Sequence, residues 1–531
     1  MQKIWIFSLF LWSFEAMLGQ KVLCIVENNK IVGSTKIKND TTTKNQLYKY
    51  VEKYRQKGFV VASIDSTFEQ NDSFFAVFCR GTKYYFDTIQ NIENKQIIVK
   101  FKNKPANLTK LSDYFEKQIA DLNNRGYPYS QLSIWDISFE SNKVNVNYKV
   151  DLNNFIVYDS VYFSPKVRIS EKFLANYLNC QKKKAYNHQN IKTIDKKIDY
   201  INCLQLQNPT QIEFHTNSAD VYLYIINKKV SSFSGVLALE LKDKKIQLLG
   251  QADIRLINTF RRSDEISLQW NKISPQSQFV NLNIDIPYIF GTKMGFSDNF
   301  SFKQADTTLF VVNNAFYLNY FIVAYSRISF LYEFRQTVSF DTIVWGNSLK
   351  QNFFGISLFN TTLNDLYCPT NGWDYKVNLS LNPDNQPQTA FMFYGYVNFY
   401  RQFIHKLILK LSTTNLYYQS NETQKNELYN IGGANLLRGF EQDAFLCSAY
   451  NVNTLEMRWL YAKYSFIALF FDFAFFKEYE KVTKYAHSLG LSFQINTKQT
   501  IFGLSIALGS IEKQKFDIRQ TKIHLKISNF L

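Results

Sequence analysis

The chain has 531 residues, a formal charge of +17 and 17% aromatic residues, with 48 Phe and 34 Tyr against 19 Gly and 9 Pro. That length exceeds one ordinary soluble domain, and the aromatic content excludes a disordered chain. The charge comes from Lys spread along the chain, with no basic run interleaved with aromatics; it reads as composition bias with some favour for anionic lipid head groups, and nucleic acid is not an expected partner.

In chain order, residues 1–19 have the pattern of a secretory signal peptide. Lys3 supplies the positive start, 4–14 is an apolar stretch, and Ala16 and Gly19 are small residues near its end. The stretch is too short to span a bilayer as a helix, and cleavage is expected before Gln20. Cys24 follows Lys21-Val22-Leu23, a poor match to a lipoprotein signal. In an exported chain the six cysteines can pair; Cys180 with Cys203 is the plausible local disulfide, and buried free thiols are the alternative. No later stretch of 18 apolar residues exists, so no transmembrane helix is expected.

From 20 to about 230 helix and strand periods mix. Leu47, Tyr50, Val51 and Tyr54 share a helical face, Gly58 follows, and strands are expected over 60–68 and 74–78. Leu111, Phe115, Ile119 and Leu122 make a second stripe ending at Gly126, before strands at 132–139 and 144–150. A third round runs from a strand at 155–163 through two helices, one with Phe173, Leu174, Tyr177 and Leu178, the other with Ile191, Ile194, Ile198 and Ile201, to strands at 211–215 and 221–226. Recurrence at roughly 70 residues predicts tandem α+β modules at 20–83, 84–152 and 153–230. The first is short, without a clear first strand or second helix.

From about 231 onward strict alternation takes over. Ile246, Leu248, Gly250, Ala252, Ile254 and Leu256 alternate with Gln247, Gln251, Asp253 and Arg255. Val280, Leu282, Ile284 and Ile286 alternate with Asn281, Asn283 and Asp285, and the pattern returns at 376–381 and 406–412. One apolar and one polar face over some 300 residues fits a soluble sandwich or a membrane barrel with a wet lumen. Export, charges such as Asp253, Arg255, Glu456 and Arg458 on the polar face, and Phe300, Phe302, Tyr317 and Tyr320 as a candidate interfacial girdle favour the barrel. Strands of about 9–11 residues give a transmembrane antiparallel β-barrel of about 16 strands over 231–531.

The segment Gly432-Gly433-Ala434-Asn435-Leu436-Leu437-Arg438-Gly439-Phe440 resembles the signature loop of the BamA/TamA outer-membrane assembly superfamily, in which a hydrophobic–Arg–Gly–aromatic tetrad enters the lumen from a long sixth loop. Leu437, Arg438, Gly439 and Phe440 match its four positions. Thr454-Leu455-Glu456-Met457-Arg458 and Phe470-Phe471-Asp472-Phe473-Ala474 resemble the strands that follow, 485–508 a penultimate hairpin, and 523–531 a C-terminal targeting strand. Pro369 and Gly372-Trp373 resemble a family turn, and the N-terminal modules resemble POTRA domains. Two departures stand out: the short first module, and a terminus of Phe530-Leu531 where the family signal ends in Phe.

The resemblance implies an outer-membrane protein with periplasmic modules and no enzymatic activity. It would bind unfolded outer-membrane or secreted clients, have periplasmic or lipoprotein partners, contact membrane lipid, and assist insertion at a seam between 234–241 and 524–530. A translocator for one dedicated protein, or a passive porin or surface antigen, are the alternatives. Arg438 needs a partner in the lumen, and Asp472 and Glu456 are candidates by parity. The chain has no phosphate loop, dinucleotide fingerprint, nucleophile elbow or His/Cys ligand spacing, so neither a cofactor nor a metal is expected.

Overall fold

A computed structural model describes residues 22–530 apart from 29, 37–39, 71–72, 243–244, 275, 306, 324, 366, 384–388, 421–422, 480–481 and 498–499. The expected signal, its cleavage site and Leu531 lie outside the described residues. The chain divides into two compact units, one comprising residues 1–157 with 185–189 and the other 158–184 with 190–531.

The first unit holds two small sheets. In the first, helix Asp40–Arg55 accompanies a four-stranded sheet in which Val22–Glu27 pairs with Lys30–Lys36 on one side and Ser73–Cys79 on the other, with Ser63–Gln70 at the far edge. The missing first strand of the sequence reading is therefore present. Leu23 and Ile25 are buried beside Val51 and Phe78, but a partner strand as polar as Lys30–Lys36 carries no alternation to announce it. In the second sheet, Tyr85–Asn91 runs parallel to the central strand Lys143–Asp151, and Gln131–Glu140 is an edge. Helix Leu108–Asn124 starts where Asn107 accepts the Lys110 amide at 2.9 Å, an N-cap that satisfies one orphan donor. It buries Leu111 and Phe115 against Phe86 and Val146.

The second unit begins with a third sheet, Val157–Tyr162 and Leu204–Phe214 flanking Ser218–Asn227, with helices Glu171–Tyr177 and His188–Asp199. Ser170 caps the first helix from Phe173 N, and Phe173, Leu174, Tyr177, Ile194 and Ile198 are buried. All six cysteines are free, so of the two alternatives for Cys180 and Cys203 it is the buried thiols and not the bridge that the structure has; Cys180 Sγ is held by the Leu178 carbonyl and the Asn190 amide.

Beyond Val230 the chain closes into an antiparallel barrel, from Ser232–Lys242 to Lys522–Phe530. Among the described residues seventeen strands follow one another in the closed order, but Tyr429–Ile431 only pairs along one end of Phe445–Ala462, which also pairs directly with Leu407–Gln419. Sixteen strands therefore make the wall. Their parity is uniform. Leu318, Tyr320, Ile328, Phe330, Ile356, Leu381, Leu455, Met457, Trp459 and Leu469 are exposed on the outside. Asn319, Ser329, Glu333, Arg335, Gln351, Ser380, Glu456, Arg458 and Asp472 are buried on the lumen side. An apolar outer band over a polar interior is what a bilayer imposes. Tyr317 corrects the girdle reading: it points into the lumen, its hydroxyl 3.3 Å from Lys376 Nζ, and that ammonium stands 4.3 Å from its ring centroid. No helix among the described residues is long and apolar enough to cross a membrane.

The third sheet is mounted on the near-end turns of the barrel. Ser170 N donates to the Arg261 carbonyl (2.8 Å), Asn258 Nδ2 to the Arg168 carbonyl, and Tyr367 hydroxyl to the Val230 carbonyl (2.6 Å). Lys228 pairs with Asp365 at 3.2 Å, and Phe173 and Tyr177 each set an edge against Tyr288 at 5.7 Å.

Candidate functional site

Two features of the barrel stand out: a loop folded into its lumen and the joint where its wall closes. The loop connects Leu407–Gln419 to Phe445–Ala462. Its first anchor is the turn Lys425–Glu427. Arg335 donates to the carbonyls of Glu427 and Asn426, each at 3.1 Å, and the Glu427 carboxylate accepts from Gln351 (2.8 Å) and Tyr418 (2.5 Å). At the second anchor Lys303 reaches Asn430 (3.0 Å) and Asp443 (2.6 Å).

The third anchor is the tetrad. Leu437 is fully buried with Ile431, Cys447, Val452 and Phe476. Arg438 forks onto Asp472 through Nε (2.8 Å) and Nη2 (2.7 Å), and its backbone N–H reaches the same carboxylate at 3.2 Å. Its remaining terminal nitrogen, Nη1, donates to Glu456 at 2.7 Å. Glu456 also accepts from Arg458 Nε (2.6 Å), and Asp472 from Thr454 (2.8 Å). The guanidinium carbon stands over the Phe470 ring, 3.4 Å from its centroid. Asp472 is 0% and Glu456 2% exposed, so each carboxylate depends on these donors in place of water. A bidentate fork held over an aromatic ring is a geometry that Lys cannot reproduce.

Gly439 sits at φ +85°, where a Cβ would stand 2.8 Å from Gly509 N and 2.9 Å from Leu508 C, so loop and wall backbones touch directly. Phe440 lies over Gly509 and meets Phe445 at 5.2 Å. Gly439→Ala therefore faces both an unfavourable backbone conformation and immovable backbone atoms. It is expected to weaken loop seating by roughly 2 kcal/mol or more, read as faster proteolysis of residues 420–444 in the intact protein.

The structure thus brings Leu437, Arg438, Gly439, Phe440, Asp472 and Glu456 together. Phe530 lies elsewhere, at the joint, with its backbone opposite Ser232. Sequence reasoning did not find Arg335, Glu427, Lys303 or Asp443. Phe470 shares the parity of Asp472, and that parity was the available signal for its place under Arg438.

The joint is short. Among the described residues, Ser232–Lys242 and Lys522–Phe530 face each other in register only at Ser232 with Phe530 and Phe233 with Asn529, at the end nearest the third sheet. By contrast, even 245–257 with 265–274 stays in register from Gly250–Lys272 to Ile257–Glu265. The loop also reaches the last strand at its other end, where Glu441 pairs with Lys522 at 2.9 Å.

A family model described as the Omp85 superfamily domain matches residues 258–530. No curated protein sequence matches the chain. Among solved structures, CdiB from Escherichia coli is similar over 92% of this chain and 97% of its own at 12% identity, with a TM-score of 0.57. CdiB from Acinetobacter baumannii is similar over 93% and 99% at 12% identity and a TM-score of 0.55. BamA from Haemophilus ducreyi lacking POTRA domains 1-3 is similar over 84% and 99% at 14% identity and a TM-score of 0.45.

Proposed function

The chain belongs to the Omp85 superfamily, outer-membrane β-barrels with periplasmic POTRA domains, and from that premise we propose that it is an assembly factor that inserts client polypeptides at the seam between its first and last barrel strands. The seam carries this reading. Away from its two paired positions, the first and last strands offer each other no ladder partner among the described residues. An unpaired backbone group in hydrocarbon costs several kcal/mol, so each edge gains from accepting a client strand by β-augmentation.

The N-terminal modules at 20–83, 84–152 and 153–230 supply clients. The edge strand Gln131–Glu140 exposes Ile134, Trp135 and Phe139, with a register shift at Trp135. The loop anchors serve as a lock: Arg438, Asp472 and Glu456 hold the wall three to four strands from the seam in one shape while the seam itself parts. The C-terminal Phe530 completes the paired end of the seam.

A second reading, export of a dedicated polypeptide through the lumen, draws on the polarity of the inner wall. A loop held by charge pairs leaves a wet path when released. Depletion of the protein followed by quantitative profiling of the outer-membrane proteome separates the readings. Broad loss of barrel proteins is expected for the assembly factor. Loss of one secreted protein supports export, and no loss overturns both in favour of a passive barrel.

A further inference from the structure

We propose that the outer face of the strands Leu407–Gln419 and Phe445–Ala462 is an in-membrane interface for a second copy of this chain. Thr413, Asn415, Asn451 and Asn453 share the parity of the exposed Leu411, Tyr417, Leu455 and Met457, and so face outward. They pair across the two strands, Thr413 opposite Asn453 and Asn415 opposite Asn451. Their flanks are apolar. Val397 and Gly395 lie beside Thr413 and Asn415 on one side, and Phe473 and Phe475 beside Asn453 and Asn451 on the other. A polar block therefore interrupts the lipid-facing band.

The four side chains form one network. Asn453 Nδ2 donates to Asn451 Oδ1 (2.5 Å); Asn451 Nδ2 donates to Asn415 Oδ1 (2.5 Å) and Thr413 Oγ1 (3.3 Å); Asn415 Nδ2 also donates to Thr413 Oγ1 (3.3 Å). Among the described residues the Asn453 carbonyl oxygen accepts nothing and the Thr413 hydroxyl donates to nothing. Lipid tails cannot supply those bonds, and apolar side chains here would carry no such penalty.

The chemistry of the block selects its occupant. It holds no charge, so a charged partner gains nothing from it. A carboxamide carries donors and an acceptor together, so a block of three carboxamides is complementary to itself. A two-fold axis against the membrane wall brings the open acceptor of one copy to the amides of the other, the self-matching geometry of a symmetric dimer. The last four strands lie between this face and the seam, so pairing leaves the seam clear. The inference is independent of the assembly-factor reading, since it concerns a different face of the wall.

The test uses the full-length protein in phosphatidylcholine–phosphatidylglycerol nanodiscs large enough for two barrels, with the exposed Cys79 changed to Ser. Leu455→Cys, beside the block, is cross-linked with a short bismaleimide and compared with Ile328→Cys on a distant strand. Native mass spectrometry reads the oligomeric state, and heat-modifiable migration reads barrel folding. The expected result is a dimer, with cross-linking at 455 roughly tenfold above that at 328. Asn451→Leu with Asn453→Leu is expected to lower the dimer fraction about tenfold in a folded barrel. Should that variant misfold, the cross-link on the native network decides alone. A monomeric parent, equal cross-linking at both positions, or a dimer untouched by the leucines overturns the proposal. So does a monomer that retains a lipid which the leucine variant loses, which would make the block a head-group site.

Discussion

Arg438→Asp is expected to abolish client assembly, and combining it with Asp472→Arg is expected to recover a measurable part. Removing one member of a buried, hydrogen-bonded ion pair costs about 3–5 kcal/mol because the other charge is left without a partner. Here the reversal leaves Asp472 and Glu456 facing a third carboxylate, while Glu456 keeps the bond from Arg458 Nε at 2.6 Å. The loop should leave its seat, which protease cleavage within residues 420–444 reads directly. In the exchange, Arg at 472 faces Asp at 438, so the attraction returns. The contact over the Phe470 ring and the bond from Arg438 to Glu456 do not, so recovery is partial. Equal loss in the single and exchanged variants would show that function does not depend on this pairing.

The second large effect is expected at the seam. Antiparallel partners stand about 4.5–5.5 Å apart at Cα, within the range that a disulfide spans. Phe233→Cys with Asn529→Cys should therefore oxidise readily in a register already present. The locked barrel is expected to lose client assembly by an order of magnitude or more and to regain it on reduction, while each single cysteine remains active. Full activity in the oxidised form would sink the seam as the route of insertion and leave the lumen as the path.

Much of this molecule was legible before its coordinates because a barrel wall obeys a period of two. That period sorted Asp253, Arg255, Glu456 and Arg458 from their apolar neighbours, and it made Asp472 a candidate for Arg438. The same rule exposes the error at Tyr317, which lies three residues from Tyr320; residues an odd number apart face opposite sides, so both cannot belong to one girdle. Arg335 was hidden for another reason. Its partners are two backbone carbonyls, 91 and 92 residues away in sequence, and a carbonyl leaves no mark in the residue code. Lys303 has a side-chain partner in Asp443, but at a separation of 140 positions parity cannot match one to the other. The free cysteines follow from packing, which spacing along the chain does not report.

The weakness of the closing joint bears on how the barrel itself comes to exist. Ser232 and Phe530 lie almost the whole barrel apart in sequence, whereas the other wall strands join neighbours in the chain or strands linked by a single loop. Contacts that close long loops form late, and two residue pairs offer little to draw the ends together early. During its own biogenesis this chain should therefore pass through an open, curved sheet with a bare edge at each end, the form most exposed to aggregation. Until Phe530 finds Ser232, the newly made protein has the same needs as the strands it is proposed to serve. A resident copy of the same chain would be a suitable template for it.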